Sequence, residues 1–226
     1  MSFVTVKRYA CRPTFGPVKH EFMPQPLFSF GIVTDIQYAD REQIGRLRFR
    51  EVPEKLRAAV ASWNQQSLAF VIQLGDIVHG NGENTPNELN TIVSLLAETH
   101  APQFHVIGNH CLSVPLERLL RWFRMDLPYY AFSHNGFKFI TLYGMDVSVE
   151  SEGEAKQTAQ AFLVANPTMR EWCGALGEAQ LSWLEAQLRL AEMRSEPVIF
   201  SVTFLPIGTR LMKHTASFGI TSAFKS

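Results

Sequence analysis

Three short apolar runs in this chain each end in side chains that carry oxygen or nitrogen ligands. The first run is followed by Asp35 and Gln37, the second by Asp76, and the third by Asn109 and His110. Apolar runs without alternation are typical of strands buried on both faces of a parallel sheet. Because ligands bind at the carboxyl ends of such strands in α/β sheets, the spacing predicts one shared site.

The residue types at this predicted site favour divalent metal chemistry. Carboxylate and amide oxygens are ligands for Mn²⁺ or Mg²⁺. A central carboxylate such as Asp76 can bridge two ions about 3.5–4 Å apart, which activate a hydroxide and clamp a phosphoryl centre. His110 is placed to donate to a phosphoryl oxygen or to protonate the leaving group. The sequence therefore predicts metal-dependent hydrolysis of a phosphoester.

The three apolar runs must be strands for this site to form. They are predicted at residues 27–34, 69–74 and 103–107. Between the first two, a period of i, i+3, i+4, i+7 predicts a helix whose apolar face holds Leu56, Ala59, Val60 and Trp63. A crossover of this kind forces parallel strands.

A second helix is predicted between the second and third strands. Thr85-Pro86-Asn87-Glu88 has the pattern of a capping box with a proline in the first turn. The apolar face that follows comprises Leu89, Ile92, Val93 and Leu96. We expect this box to begin the helix.

The second half of the chain changes character. A short helix is predicted after Pro115, and Asn135-Gly136 between two strand-like runs predicts a tight antiparallel hairpin. Residues 148–177 show no period and are predicted to form a long surface segment. A last helix is predicted at 178–193 and a last buried strand at 197–204.

Composition fits a globular protein of mixed α/β class with one main domain. The chain has 226 residues, 46% hydrophobic and 19% charged. Residues 1–26 contain four prolines and are predicted to be an irregular arm, 27–207 form the domain, and 208–226 form a divergent tail.

The overall charge argues against a polyanionic partner. The formal net charge is zero, so neither nucleic acid nor an anionic membrane is expected to bind. No apolar segment approaches the roughly 20 residues that cross a bilayer. Three widely spaced cysteines fit a reducing compartment, and we expect a cytoplasmic location, with organelle targeting by the basic N-terminal segment as the alternative.

The motifs resemble those of a known family. Asp35-x-Gln37, Gly75-Asp76 and Gly108-Asn109-His110 resemble, in order, the first three motifs of the calcineurin-like metallophosphoesterases, D-x-H, G-D-x-x-D and G-N-H-E/D. Gln37 in place of histidine is most similar to the manganese-dependent ADP-ribose/CDP-alcohol diphosphatase branch. The resemblance covers roughly residues 27–207.

The resemblance implies a fold, a site and a substrate class. The fold would be a β-sandwich of mixed strands flanked by helices. Asp35 and Gln37 would hold one metal, Asp76 would bridge two, Asn109 would hold the second, and His110 would be catalytic. The metals would be two Mn²⁺ ions, with Mg, Fe or Zn as alternatives, and the substrate would be a small, nucleotide-like phosphorylated molecule.

The chain also departs from the family pattern. His79 replaces the second aspartate of the second motif, and Cys111 replaces the acidic residue after His110. Residues 201–207 lack the histidine of a Ser-His motif, and no Gly-His-x-His follows. We therefore expect a C-terminally truncated member whose sandwich is incomplete at that end.

These departures leave alternatives open. The chain is either a hydrolase or a catalytically impaired member that serves as a metal- or nucleotide-binding module. His79 is interpreted as a solvated loop histidine rather than a replacement ligand, and Cys111 as an inert thiol rather than a soft ligand. Tyr129 and Tyr130 are interpreted as a packed pair rather than a platform for a nucleobase.

Overall fold

The computed structural model describes residues 2–9, 26–80 and 82–203. The chain divides into two compact units, Met1–His105 and Val106–Ser226. Within the described part of the chain, no helix is long and apolar enough to span a membrane.

The first unit contains a four-stranded sheet. Its elements are, in chain order, β1 (Ser2–Tyr9), β2 (Pro26–Thr34), α1 (Val52–Asn64), β3 (Val71–Gln73), α2 (Thr85–Leu96) and β4 (Gln103–His105). The sheet order is β1-β2-β3-β4. Strands β2, β3 and β4 run parallel, as predicted, while β1 is antiparallel to β2. Strands β3 and β4 are shorter than the predicted 69–74 and 103–107.

The prediction of an irregular N-terminal arm is wrong for residues 2–9. This segment forms β1 and pairs with β2 along its length. It is rich in valine, threonine and aromatic residues, which favour strands, and its first proline comes only at position 13. The rest of the predicted arm, residues 10–25, lies outside the described residues.

The helices of the first unit pack as their apolar periods predict. Helix α1 has Pro53 in its first turn and buries Val52, Leu56, Val60 and Trp63. A Cβ atom at Gly31 of β2 would lie 3.1 Å from the Trp63 indole. Glycine at position 31 therefore allows α1 to pack this close to the sheet.

The predicted capping box of α2 is wrong. The N-cap residue is Asn84, which makes no side-chain capping hydrogen bond. The Thr85 hydroxyl accepts the Gly82 N–H at 3.2 Å, and the Glu88 carboxylate accepts the N–H of Asp40. Both side chains therefore satisfy backbone groups outside the helix.

The second unit contains a three-stranded sheet and three α-helices in its described residues. The elements are α3 (Leu116–Phe123), β5 (Tyr130–His134), β6 (Phe137–Thr141), α4 (Gly153–Ala165), α5 (Glu178–Met193) and β7 (Val198–Ser201). The sheet order is β5-β6-β7, with β5 antiparallel and β7 parallel to β6.

The hairpin and the last helix of this unit confirm the sequence predictions. Asn135 and Gly136 have φ values of +52° and +79°, the left-handed pair that a tight two-residue hairpin turn requires. Helix α5 has the predicted bounds. Its Leu184 and Leu188 pack against Ile140 and Leu142.

The predicted long surface segment at residues 148–177 contains a helix that the sequence did not indicate. Helix α4 lies within this segment, and Ala159 is its one buried residue. A helix that packs so little of its surface needs no apolar stripe. Its sequence therefore carries no 3.6-residue period to detect.

Candidate metal centre

The loops that follow β2 and β3 are joined directly by backbone hydrogen bonds. The N–H of Gln37 donates to the Asp76 carbonyl at 2.8 Å, and the N–H of Tyr38 donates to the Ile77 carbonyl at 3.1 Å. The N–H of His79 then donates to the Tyr38 carbonyl at 2.9 Å. The parallel ladder thus continues past the strand ends, and it brings two of the predicted ligand positions together.

Three of the predicted ligands have an unusual backbone conformation. Asp35, Gln37 and Asp76 have φ values of +51°, +46° and +53°. A residue with a side chain pays about 1 kcal/mol or more in this region, and such residues cluster at functional sites. Ile36, between the first two, is buried. Ile36 therefore anchors the loop in the core between two residues with left-handed backbone conformations. The Asp35 side chain stays exposed, and the Gln37 side chain is half-exposed.

Two acidic side chains at this end of the sheet differ in exposure. Asp76 is only 3% exposed, and a buried carboxylate needs compensating hydrogen bonds or a positive partner. Asp35 is exposed, and its carboxylate accepts the Thr34 hydroxyl at 2.7 Å. Burial first, and then repulsion from the charges of Asp40 and Glu88, raises the pKa of the Tyr38 hydroxyl. The positive charge of Arg50 acts in the opposite direction on this pKa.

In the second unit, Asn109 has an uncommitted side-chain oxygen. Asn109 begins a short 3₁₀ helix, Asn109–Ser113, directly after Gly108. Its Oδ1 atom is shielded from solvent and has no hydrogen-bond partner among the described residues. Because buried polar atoms are nearly always satisfied, an orphan amide oxygen fits a metal ligand.

The five predicted site residues are divided between the two units. Asp35, Gln37 and Asp76 belong to the first unit, where the backbone connects their loops. Asn109 and His110 follow β4 in the chain and belong to the second unit. Within the described ranges, no group of three or more His, Cys, Asp or Glu side chains is placed to hold a metal. Two of the four predicted ligands, Gln37 and Asn109, are amides and therefore do not count toward such a group.

The neighbouring residues decide some of the open alternatives. The ring of His79 lies 4.8 Å from that of Phe49, and its Nδ1 atom is shielded from solvent. His79 is thus partly exposed, and its interpretation as a loop histidine rather than a replacement ligand stays a prediction. Cys111 is fully buried, which favours an inert thiol. Tyr129 packs against Trp183 of α5 with ring centroids 4.8 Å apart, which favours a packing role.

One residue near this centre was missed by sequence reasoning. Glu88 was assigned to a helix cap, whereas its carboxylate contacts the end of the loop that carries Asp35 and Gln37. The pattern around Glu88 matched a local motif, and a local motif gives no signal of a partner in a distant segment.

Comparison with known proteins identifies the family. The sequence profile of the Calcineurin-like phosphoesterase family matches residues 28–208. The chain therefore belongs to this family, as its motifs predicted.

The relatives and the solved structures are consistent with each other. A manganese-dependent ADP-ribose/CDP-alcohol diphosphatase of Arabidopsis thaliana is 34% identical over 208 residues, covering 77% of this chain and 67% of that protein. The protein of the same name from Danio rerio is 28% identical, covering 82% and 72%. The crystal structure of a dimetal phosphatase from Danio rerio superposes with a TM-score of 0.70 at 28% identity, covering 81% and 71%. The predicted mixed α/β metallophosphoesterase fold is confirmed.

Proposed function

We propose that this protein is a metal-dependent hydrolase of phosphoester or nucleoside-diphosphate-linked bonds of the ADP-ribose or CDP-alcohol type. The observation that carries the proposal is the junction of two strained loops, where the Gln37 N–H donates to the Asp76 carbonyl. Gln37, Asp76 and Asp35 all have left-handed backbone conformations. Such conformations are costly and cluster at functional sites, so three of them at one end of the sheet support a functional role for these side chains. The names of the relatives supply the substrate class.

Each predicted residue has a distinct role in this proposal. Asp35 and Gln37 hold one cation, Asp76 is shared by two, and Asn109 holds the second through its uncommitted Oδ1. His110 donates a proton to the leaving group or a hydrogen bond to a phosphoryl oxygen. The cations, proposed as Mn²⁺ because the relatives are named manganese-dependent, supply an activated water and neutralise phosphoryl charge when bound.

The proposal extends to domain limits, partner and location. Residues 27–207 form the phosphoesterase domain, whose sheet also includes β1, and the predicted tail at 208–226 lies outside the described residues. The partner is a small phosphorylated molecule rather than a nucleic acid, since the net charge is zero. The proposed location is the cytoplasm.

A second candidate function is a metal- or nucleotide-binding module without turnover. His79 occupies the place of a family aspartate and packs its ring on Phe49. The chain therefore lacks a carboxylate at that position, which weakens the case for efficient proton transfer.

Hydrolysis of bis-p-nitrophenyl phosphate and ADP-ribose in the presence of Mn²⁺ tests the first function. Asp76→Asn should reduce the rate by at least about 100-fold, because loss of even an outer-shell partner costs 10–100-fold. Asp146→Asn is the matched control. That carboxylate also follows a strand, but it accepts the Gly177 N–H and the Gln180 amide, so its loss should leave the rate per folded molecule unchanged.

Metal analysis separates the two candidate functions. About two Mn²⁺ ions per chain together with turnover support the hydrolase. One ion, or nucleotide binding without turnover, supports the module. Folded wild-type protein that does not hydrolyse these substrates and binds neither Mn²⁺ nor nucleotide would reject both.

A further inference from the structure

A buried carboxylate contacts the loop that carries two of the proposed metal ligands. Glu88 on α2 is 7% exposed. Its Oε1 accepts the backbone N–H of Asp40 at 2.8 Å, from a position 48 residues away in sequence. Burying a charged group is costly unless it forms hydrogen bonds, so this hydrogen bond offsets part of the cost of burying the Glu88 carboxylate.

The contact lies where the other restraints on the loop end. Residues 35–40 leave β2 at Thr34, and the backbone ladder with the β3 loop extends only to Tyr38 and His79. The next restraint along the loop is the bond from the Asp40 N–H to Glu88. Left-handed conformations such as those of Asp35 and Gln37 persist only when the surroundings over-determine them.

The charged groups around Asp40 do not replace this restraint. The Asp40 carboxylate accepts the Arg50 Nε–H at 2.9 Å, and Arg50 also pairs with Glu42. These three side chains are at least half exposed, and exposed ion pairs contribute little. The part-buried hydrogen bond from the Asp40 N–H to Glu88 is therefore the stronger anchor of the two.

We propose that Glu88 is a positioning residue for the proposed metal centre. By accepting the Asp40 N–H, it holds the 35–40 loop in the conformation that presents Asp35 and Gln37 to a divalent cation. The inference rests on the proposed function, and its measurable consequence is tighter binding of Mn²⁺.

Titration of the full chain with MnCl₂, followed by calorimetry and by the EPR signal of free Mn²⁺, tests this role. Glu88→Ala should weaken Mn²⁺ binding by about 10- to 100-fold, as for other outer-shell partners. Glu88→Gln should stay close to wild type, because its amide oxygen accepts the same N–H. Glu88→Asp keeps the charge but withdraws the oxygen by one methylene, and should resemble Glu88→Ala.

A matched variant separates positioning from general loss of stability. Ile92→Val removes one methyl group from the buried face of the same helix and leaves both partners of the hydrogen bond between Glu88 and Asp40 in place. It should leave Mn²⁺ affinity unchanged. Amide hydrogen exchange at Asp40 should accelerate in Glu88→Ala and Glu88→Asp but not in Ile92→Val.

The possible outcomes are distinguishable. If Glu88→Ala and Glu88→Asp bind Mn²⁺ as wild type does, or if Glu88→Gln is as weak as they are, the positioning role is overturned. If Glu88→Ala does not fold, the difference in Mn²⁺ affinity between Glu88→Asp and Glu88→Gln tests the positioning role in the same way. Wild-type protein that binds no Mn²⁺ overturns the proposed function as well.

Discussion

Two buried glutamines, one in each unit, differ in how their side-chain amides are satisfied. In the second unit, Gln180 is fully buried, and its Oε1 accepts the Tyr143 N–H at 2.9 Å. Its Nε2 donates to the Tyr143 carbonyl at 3.1 Å and to Asp146 Oδ2 at 3.0 Å. In the first unit, Gln73 of β3 is 1% exposed, yet neither of its amide atoms has a hydrogen-bond partner among the described residues.

The difference shows where this protein tolerates a local cost. A buried polar group without a partner costs about 1–3 kcal/mol. The glutamine that lacks a partner is in the strand that leads to Asp76, a strained candidate ligand. The satisfied glutamine ties α5 to the chain after β6. Proteins break local rules at functional sites and compensate elsewhere, and these two glutamines follow that division.

The aspartates that follow the same two strands extend the comparison. Asp76 has a positive φ, whereas Asp146 does not and is engaged by Gly177 and Gln180. An aspartate after a buried strand is thus not by itself evidence of a ligand. The backbone conformation distinguishes the two cases.

The largest expected effect on stability comes from removing the satisfied glutamine. Gln180→Leu should lower the free energy of unfolding by about 3–5 kcal/mol, because Tyr143 and Asp146 would lose their buried partners. Urea denaturation measures this change. The exposed Ser182→Ala on the same helix is the control, and a loss below about 1 kcal/mol for Gln180→Leu would contradict the comparison.

The second effect is acid sensitivity of the first unit. His105 of β4 pairs in register with Gln73, and burial lowers its pKa from 6.5 to about 4. Between these values the unfolded chain binds more protons than the folded chain, so stability should be complete above about pH 6.5 and decrease toward pH 4. We expect a loss of about 2–3 kcal/mol at pH 4.5 relative to pH 7.

Denaturant unfolding at the two pH values tests this effect, with His105→Phe as the variant that should reduce the slope. An equal pH dependence in wild type and His105→Phe would assign it to other groups. The second unit should respond at the opposite extreme. Burial, followed by the negative charges of Asp146 and Glu150, raises the pKa of the Tyr143 hydroxyl, so stability should decrease as the pH rises above 10.

The smallest expected effect is on stability, and its sign should be opposite to that of the loss expected for Gln180→Leu. Gln73→Leu replaces an unsatisfied buried amide with an apolar group of similar size and should change stability by between zero and about +1 kcal/mol. The measurement is the same urea titration used for Gln180→Leu. A loss as large as that of Gln180→Leu would show that the two glutamines are equivalent and would remove the comparison.

The sequence by itself determined the features that depend on local pattern. Apolar periods located β2, α1 and α5, and Asn135-Gly136 located the hairpin turn. The motifs that contain Asp35, Asp76 and Asn109 resemble those of the family whose profile matches the chain, and that resemblance supplied the candidate ligands. These features could be predicted because side-chain periodicity and turn chemistry act over a few residues.

Only the tertiary structure decided the features that depend on distant contacts. The pairing of β1, the contact of Glu88 with Asp40 and the left-handed conformation of Gln37 have no signature in their own segments. Helix α4 escaped prediction because it packs too little surface to need a pattern. Each of these depends on which segments pack side by side, and the free energy of that packing is set by the whole fold rather than by neighbours in sequence.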